Sequence, residues 1–321
     1  MLGVLPRWVK ADLAKRDSGA DLIVGTQALE IKVVSDGSLG GVRRFLANRR
    51  GYPDIVVARL LSPGAREALS NAGIGWVDET GAAEIAVGSI VVSRTGRTPE
   101  PVASRNRLAP AAIAVAEALL CGTRATVAAT ESVTGLSAGS CTNALRVLTN
   151  LGLLEADAKR GRWSARRVAD QDRLLAAYAQ AVEALPAPIT LRVGVAWRDP
   201  VAGLLETGRK WSKARVGWAL TGAAAASVTA PYLTTVTSTE VYVEADTIVG
   251  LEAIAADAGF RRIDGGRLAL RPFPTVAIPR LAEEVDGLRV APWPRVYVDL
   301  RASGVRGEEA AEHLREVVRA R

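Results

Sequence analysis

One histidine, two cysteines and one methionine occur in the 321 residues, and each scarcity removes a class of chemistry. His313 stands alone on a polar C-terminal segment, so most imidazole-based catalysis and zinc coordination are excluded. Cys121 and Cys141 fall at no metal-ligand spacing and read as small buried residues of a reducing compartment. No stretch approaches the ~18 uninterrupted apolar residues of a membrane span. The opening MLGVLPRWVKADLAKRD carries charges where a signal peptide has its apolar core, so the expected location is cytoplasmic, with no membrane partner. What is present is ordinary globular composition, 49% hydrophobic and 23% charged, at a length that suits two or three domains, with a net charge of +7.

The richest local pattern runs from Thr126 to Arg167. Val127, Ala128 and Val133 read as one face of a short helix, Gly135 permits a tight turn, and Ser137 stands where a helix N-cap belongs. A second helix is expected from Ala138. Its apolar side is Cys141, Leu145, Leu148 and Leu151, with Ser140, Thr142, Asn143 and Arg146 on or near the opposite face. Gly152 ends that helix and Leu153 and Leu154 open a strand. Lys159, Arg160, Gly161 and Arg162 then make a cationic hairpin tip before a second strand over Trp163–Val168.

Helix, turn, helix and basic hairpin in this order read as a winged helix-turn-helix, which sets its second helix in a major groove and its wing on phosphates. Ser137, Ser140, Thr142, Asn143 and Arg146 would meet bases or nearby phosphates; Arg124, Lys159, Arg160 and Arg162 would hold the backbone. Charge agrees, because Arg94 to Asp170 holds eleven Lys and Arg against six acids, the footprint expected beside a polyanion. Double-stranded DNA is therefore the expected partner, and two-fold symmetric operators make a homodimer the default.

Ahead of this region, helices are expected over Leu5–Lys15, Leu39–Asn48 and Pro63–Asn71. Strands are expected over Asp21–Val24, Ala28–Val34, Ile55–Ala58 and, in short pieces turning at Gly81, Ile74–Val92. Asp21, Glu30 and Lys32 carry a second constellation, the last two on one strand whose alternation puts both on one face. Asp and Glu supply hard oxygens for Mg²⁺, and a Lys one pleat away can orient water. Spacing and element order resemble the PD-(D/E)XK restriction-endonuclease-like fold. That resemblance implies Asp21, Glu30 and Lys32 as catalytic residues, with Asp21 and Glu30 holding Mg²⁺, if the unit is a nuclease. The first expected helix has Asp12 as its one acid, where many members carry a Glu. The same residues also fit a solvated strand face, and Asp54 and Asp78 at strand ends fit ordinary caps.

The stretch TGRTPEPVASRNRLAP has linker composition. After the wing, Leu174, Leu175, Tyr178 and Val182 form one apolar stripe on a helix over Gln171–Ala184, suited to packing or dimerisation. Further on, strands are expected over Leu191–Trp197, Arg215–Leu220, Glu240–Glu244, Leu268–Phe273 and Val296–Leu300. Helices are expected near Pro200–Lys210, Gly222–Ser227, Ile248–Ala258 and Arg306–Ala320. TGAAAAS lacks the second Gly and the Lys of a phosphate loop and reads as close Ala packing. Glu240 and Glu244 are four apart, a poor match to the paired acids of a polymerase-β-like nucleotidyltransferase.

The winged helix, then WALTGAAAASVTAPYLT, TEVYVEA and PRVYVDLRASGVRGEEAAEHLREVV, resembles the AbiEi-type antitoxins of type IV toxin-antitoxin systems, over roughly Leu108 to Arg321. The resemblance implies a transcriptional repressor that opposes a nucleotidyltransferase toxin. The expected architecture is an α/β and α+β multidomain chain: a restriction-endonuclease-like α/β domain over 1–94, a linker over 95–107, a winged helix-turn-helix over 108–170 and a mixed α/β domain over 171–321. Its expected function is sequence-specific DNA-binding repression, with no cofactor. The alternatives are a Mg²⁺-dependent nuclease targeted by the winged helix, and a protein-interaction scaffold.

Overall fold

The computed structural model describes residues 11–14, 20–48, 51, 53–88, 90–97, 108–156, 166–232, 236 and 238–321. The chain is mixed α/β and divides into two compact units, residues 1–102 with 304–309 and residues 103–303 with 310–321. Among the described residues no helix is long and apolar enough to cross a membrane.

The first unit contains, in order, β1 (Ala11–Leu13), β2 (Leu22–Val24), β3 (Gln27–Leu29), β4 (Ile31–Val34), α1 (Leu39–Asn48), β5 (Ile55–Ala58), α2 (Pro63–Asn71), β6 (Gly75–Asp78), β7 (Ala83–Val87) and β8 (Ile90–Arg94). β1, β2 and β3 form an antiparallel meander. β4 to β8 form a second sheet in sequence order, with β4, β5 and β6 parallel and β6, β7 and β8 antiparallel. Parallel neighbours need crossovers, and α1 and α2 supply them. Ser62 caps α2 by accepting from Ala65 N at 3.3 Å, with Pro63 in its first turn. The period-2 alternation of β5 and β6 feeds two cores. Ile55 and Val77 face Leu22, Val24 and Leu29 of the meander, whereas Val56, Ala58 and Trp76 face Val42, Ala65 and Leu69 of the helices.

The structure departs from the sequence pattern at two places in this unit. The helix over Leu5–Lys15 is a strand at Ala11–Leu13, paired with β2; residues 5–10 and 15 lie outside the described residues. Such a short apolar segment fits either period, and pairing with β2 decides it. The single strand over Ala28–Val34 is divided at Glu30. Its amide donates to Asp54 Oδ2 at 2.7 Å and its carbonyl accepts from Asp54 N and Ile55 N, so the chain leaves one sheet and enters the other at that residue.

The second unit contains α3 (Pro110–Leu120), α4 (Val127–Thr134), α5 (Ala138–Asn150), β9 (Leu154–Ala156), β10 (Arg166–Val168), α6 (Gln171–Glu183), β11 (Leu191–Gly194), α7 (Pro200–Lys213), β12 (Trp218–Thr221), α8 (Gly222–Thr229), β13 (Thr239–Val243), α9 (Ile248–Asp257), β14 (Arg261–Arg262), β15 (Leu268–Pro272), α10 (Ile278–Leu281), β16 (Glu283–Val285), β17 (Leu288–Val290) and α11 (Trp293–Arg301); α12 (Val305–Ala320) closes the chain. A mixed seven-stranded sheet runs in the order β14-β11-β15-β13-β12-β17-β16. No gap in packing falls between 170 and 171, because one continuous core joins Ile113, Leu145 and Leu148 to Leu174, Tyr178, Leu220, Val241 and Leu300. At its centre is α3, buried from Ala112 to Leu120, as expected of a helix that is apolar all round. The stripe of α6 is wholly buried in the same core, which assigns it to packing. Ala224, Ala225 and Ala226 of α8 are buried as well.

The strand expected over Val296–Leu300 is instead the helix α11. Every residue from Pro294 to Leu300 is buried, so no exposed face imposes a period on the sequence. The β-branched and aromatic residues that suggest a strand here fill a helix packed against α3, α6 and α8.

Candidate nucleic-acid interface

Thr126 caps α4 by accepting from Ala129 N at 3.3 Å, and Gly135 ends it in the left-handed conformation at φ +71°. The buried face of α4 differs from the expected one. Thr130 and Thr134 are fully buried, Val127 and Val133 half-buried, and Ala128 exposed. Thr130 Oγ1 donates to Thr126 O at 2.9 Å and Thr134 Oγ1 to Thr130 O at 2.6 Å. Each hydroxyl is thereby satisfied within the helix, leaving its methyl to the core. Ser137 then caps α5, accepting from Ser140 N at 3.3 Å while its own hydroxyl donates to Ser140 Oγ at 3.0 Å.

The faces of α5 agree with the sequence pattern. Cys141, Leu145 and Leu148 are fully buried, the two leucines contributing roughly 1.5–3 kcal/mol each. Thr142, Asn143 and Arg146 are exposed on the other side, Ser137 is exposed at the start, and Ser140 is half-buried. Thr142 Oγ1 donates to Ala138 O at 2.8 Å, so its hydroxyl proton is committed to the helix while the oxygen can still accept. Gly152, at φ +67°, ends the helix, and β9 and β10 pair antiparallel with Leu154 opposite Val168. Ala125 bridges Arg166, which ties the loop carrying exposed Arg124 to the ribbon. Lys159, Arg160 and Arg162 lie outside the described residues.

Beneath this surface is a buried polar network that the sequence reading missed. Glu117, within the apolar run of α3, accepts from Tyr178 Oη at 2.7 Å and from Thr275 Oγ1 at 2.8 Å. On α11, Arg295 donates from Nη2 to Asp299 Oδ1 at 2.9 Å and from Nε to Tyr242 Oη at 2.8 Å. Asp299 Oδ2 also accepts from Tyr242 Oη and Thr221 Oγ1, each at 2.6 Å. Burial pushes the Glu117 carboxyl up, against the pull of its two hydroxyl donors and of Arg295. Burial is the largest single influence on Arg295 and would lower it, but the Asp299 carboxylate, Tyr242 and Tyr178 together outweigh burial and raise the guanidinium further. A carboxylate inside an otherwise apolar helix was the available signal, since a buried acid implies partners.

In the first unit Asp21, Glu30 and Lys32 are all exposed. Asp21 Oδ2 accepts from Ile31 N at 2.8 Å, so the Asp21 segment does meet the segment carrying Glu30 and Lys32. One Oδ2 atom each of Asp21 and Asp54 is committed to a backbone amide, and among the described residues no group of three or more acidic, His or Cys side chains converges as a metal site would. Asp78, buried at the end of β6, binds Arg66 Nη2 at 2.8 Å and Thr80 N at 3.0 Å, which makes it a structural cap. Glu240 pairs with Arg271 at 2.9 Å, while Glu244 accepts from Gly217 N at 3.3 Å, so these two acids serve separate partners.

No family model, no curated protein and no solved structure matches the chain.

Proposed function

We propose that the chain is a sequence-specific double-stranded-DNA-binding protein that acts as a transcriptional repressor through a winged helix-turn-helix made of α3, α4, α5, β9 and β10. The observation that carries this reading is the division of α5: Cys141, Leu145 and Leu148 buried, Thr142, Asn143 and Arg146 exposed, behind a capped turn at Gly135. A helix so placed offers donors, acceptors and a methyl to base edges while its other face stays in the core. Repression of its own promoter and opposition to a nucleotidyltransferase toxin rest on the AbiEi-like segments and are part of the same proposal.

The test is binding of the purified chain to its own upstream intergenic DNA and to a length-matched random duplex at two salt concentrations. A preferential, salt-sensitive shift is expected; equal affinity for both duplexes would overturn sequence-specific repression.

A second reading, a DNA nuclease in the first unit, is favoured by one observation, the Asp21–Ile31 hydrogen bond that joins the two halves of the Asp21, Glu30, Lys32 constellation.

A further inference from the structure

An arginine from a distant part of the chain lies against the turn between α4 and α5. α10 packs against α4, and a β-carbon at Gly135 would lie 2.6 Å from Arg280 Nε and 2.8 Å from its Cζ. The guanidinium therefore rests on the bare backbone of the turn. Arg280 is exposed, and among the described residues its side chain has no carboxylate partner. Arg289, also exposed, donates from Nη2 to Pro279 O, which brings a second cation to the same edge.

We propose that Arg280 is a DNA-backbone contact, so that the nucleic-acid interface includes residues of the C-terminal α/β region as well as the winged helix. The inference rests on the DNA-binding reading above and deepens it. When the second helix of such a motif enters a major groove, the first crosses the backbone beside it, and the turn joining them lies over that strand. A guanidinium on that turn can bind a phosphate with paired N–H donors, as arginine does. Gly135, lacking a side chain, leaves room for it. The competing role is local: a cation at the C-terminal end of α4 also favours the helix dipole. The two roles separate by measurement, because only a phosphate contact changes the number of counterions released.

Full-length Arg280→Gln and Arg280→Lys chains would be titrated with the same two duplexes over a range of salt. Arg280→Gln is expected to weaken binding to both duplexes alike, about five- to tenfold near 0.1 M salt, and to reduce the log–log salt slope by ~0.9, with Arg280→Lys restoring the slope. An unchanged slope and affinity in Arg280→Gln, whatever happens to its melting temperature, overturns the contact. If the unsubstituted chain binds neither duplex in a salt-sensitive way, the DNA-binding reading itself fails. If it binds and Arg146→Ala loses discrimination while Arg280→Gln is unchanged, only the Arg280 contact fails.

Discussion

Arg295 and Asp299 stand one helical turn apart on α11, Nη2 of the first 2.9 Å from Oδ1 of the second, with 8% and 5% of their side chains exposed. Removing one partner strands the other charge in the core. Asp299→Leu is expected to cost about 3–5 kcal/mol, and the double variant Arg295→Met, Asp299→Leu less than the sum of the two single changes. Urea unfolding of the four chains measures the coupling; additive costs would show that the pair is not coupled.

Glu117 makes stability depend on pH in a direction opposite to that of a surface carboxylate. Its folded-state pKa lies above the ordinary 4.5 because of burial, so the native state holds the proton more tightly than the unfolded chain. The stability this group contributes is complete below 4.5 and is lost as pH rises through the folded value. Glu117→Gln should therefore gain stability relative to the parent as pH increases from 4.5 towards neutrality. Melting temperatures of both chains across that range would show a widening gap; parallel curves would count against a raised pKa.

Gly135 combines φ +71° with an arginine guanidinium where a β-carbon would stand. Gly135→Ala is expected to destabilise by about 1–2 kcal/mol from backbone strain alone, and more if Arg280 is displaced. Gly139, where a β-carbon would meet nothing within 4 Å, is the control: Gly139→Ala in the first turn of α5 should be neutral or stabilising. Thermal denaturation of the two variants decides it.

Arg146 and Arg124 are both exposed but differ in expected role. Arg146→Ala should cost about 1–3 kcal/mol at one base pair of the operator, whereas Arg124→Ala should weaken all duplexes alike. Comparable losses for Arg146→Ala on cognate and random DNA would remove it from the base-reading set.

The nuclease reading predicts Mg²⁺-dependent cutting that Glu30→Ala or Lys32→Ala abolishes. Intact linear, branched and single-stranded DNA after incubation with the parent chain and Mg²⁺ would retire it.

Local chemistry sufficed for α5 and α2, each with one wet and one dry side. The cap at Ser137, the left-handed Gly135 and the two faces of α5 follow from residue type and 3.6-residue spacing; α2 follows from Ser62 and Pro63 before its apolar positions. Period and capping are written in neighbouring residues, so they are readable without the fold. Tertiary structure alone decided what is wet on no side or shared between sheets. PRVYVDL, buried throughout, carries no period and becomes a helix; in a strand Arg295 and Asp299 would be ~13 Å apart, and only the helix brings their charges together. Glu30 is the residue at which the chain changes sheets because Asp54, from the turn before β5, takes its amide. The polar faces of Thr130 and Thr134 are inside because carbonyls of their own helix absorb the hydroxyls. Arg280 reaches Gly135 through packing between segments far apart in the chain, a relation that no local pattern encodes.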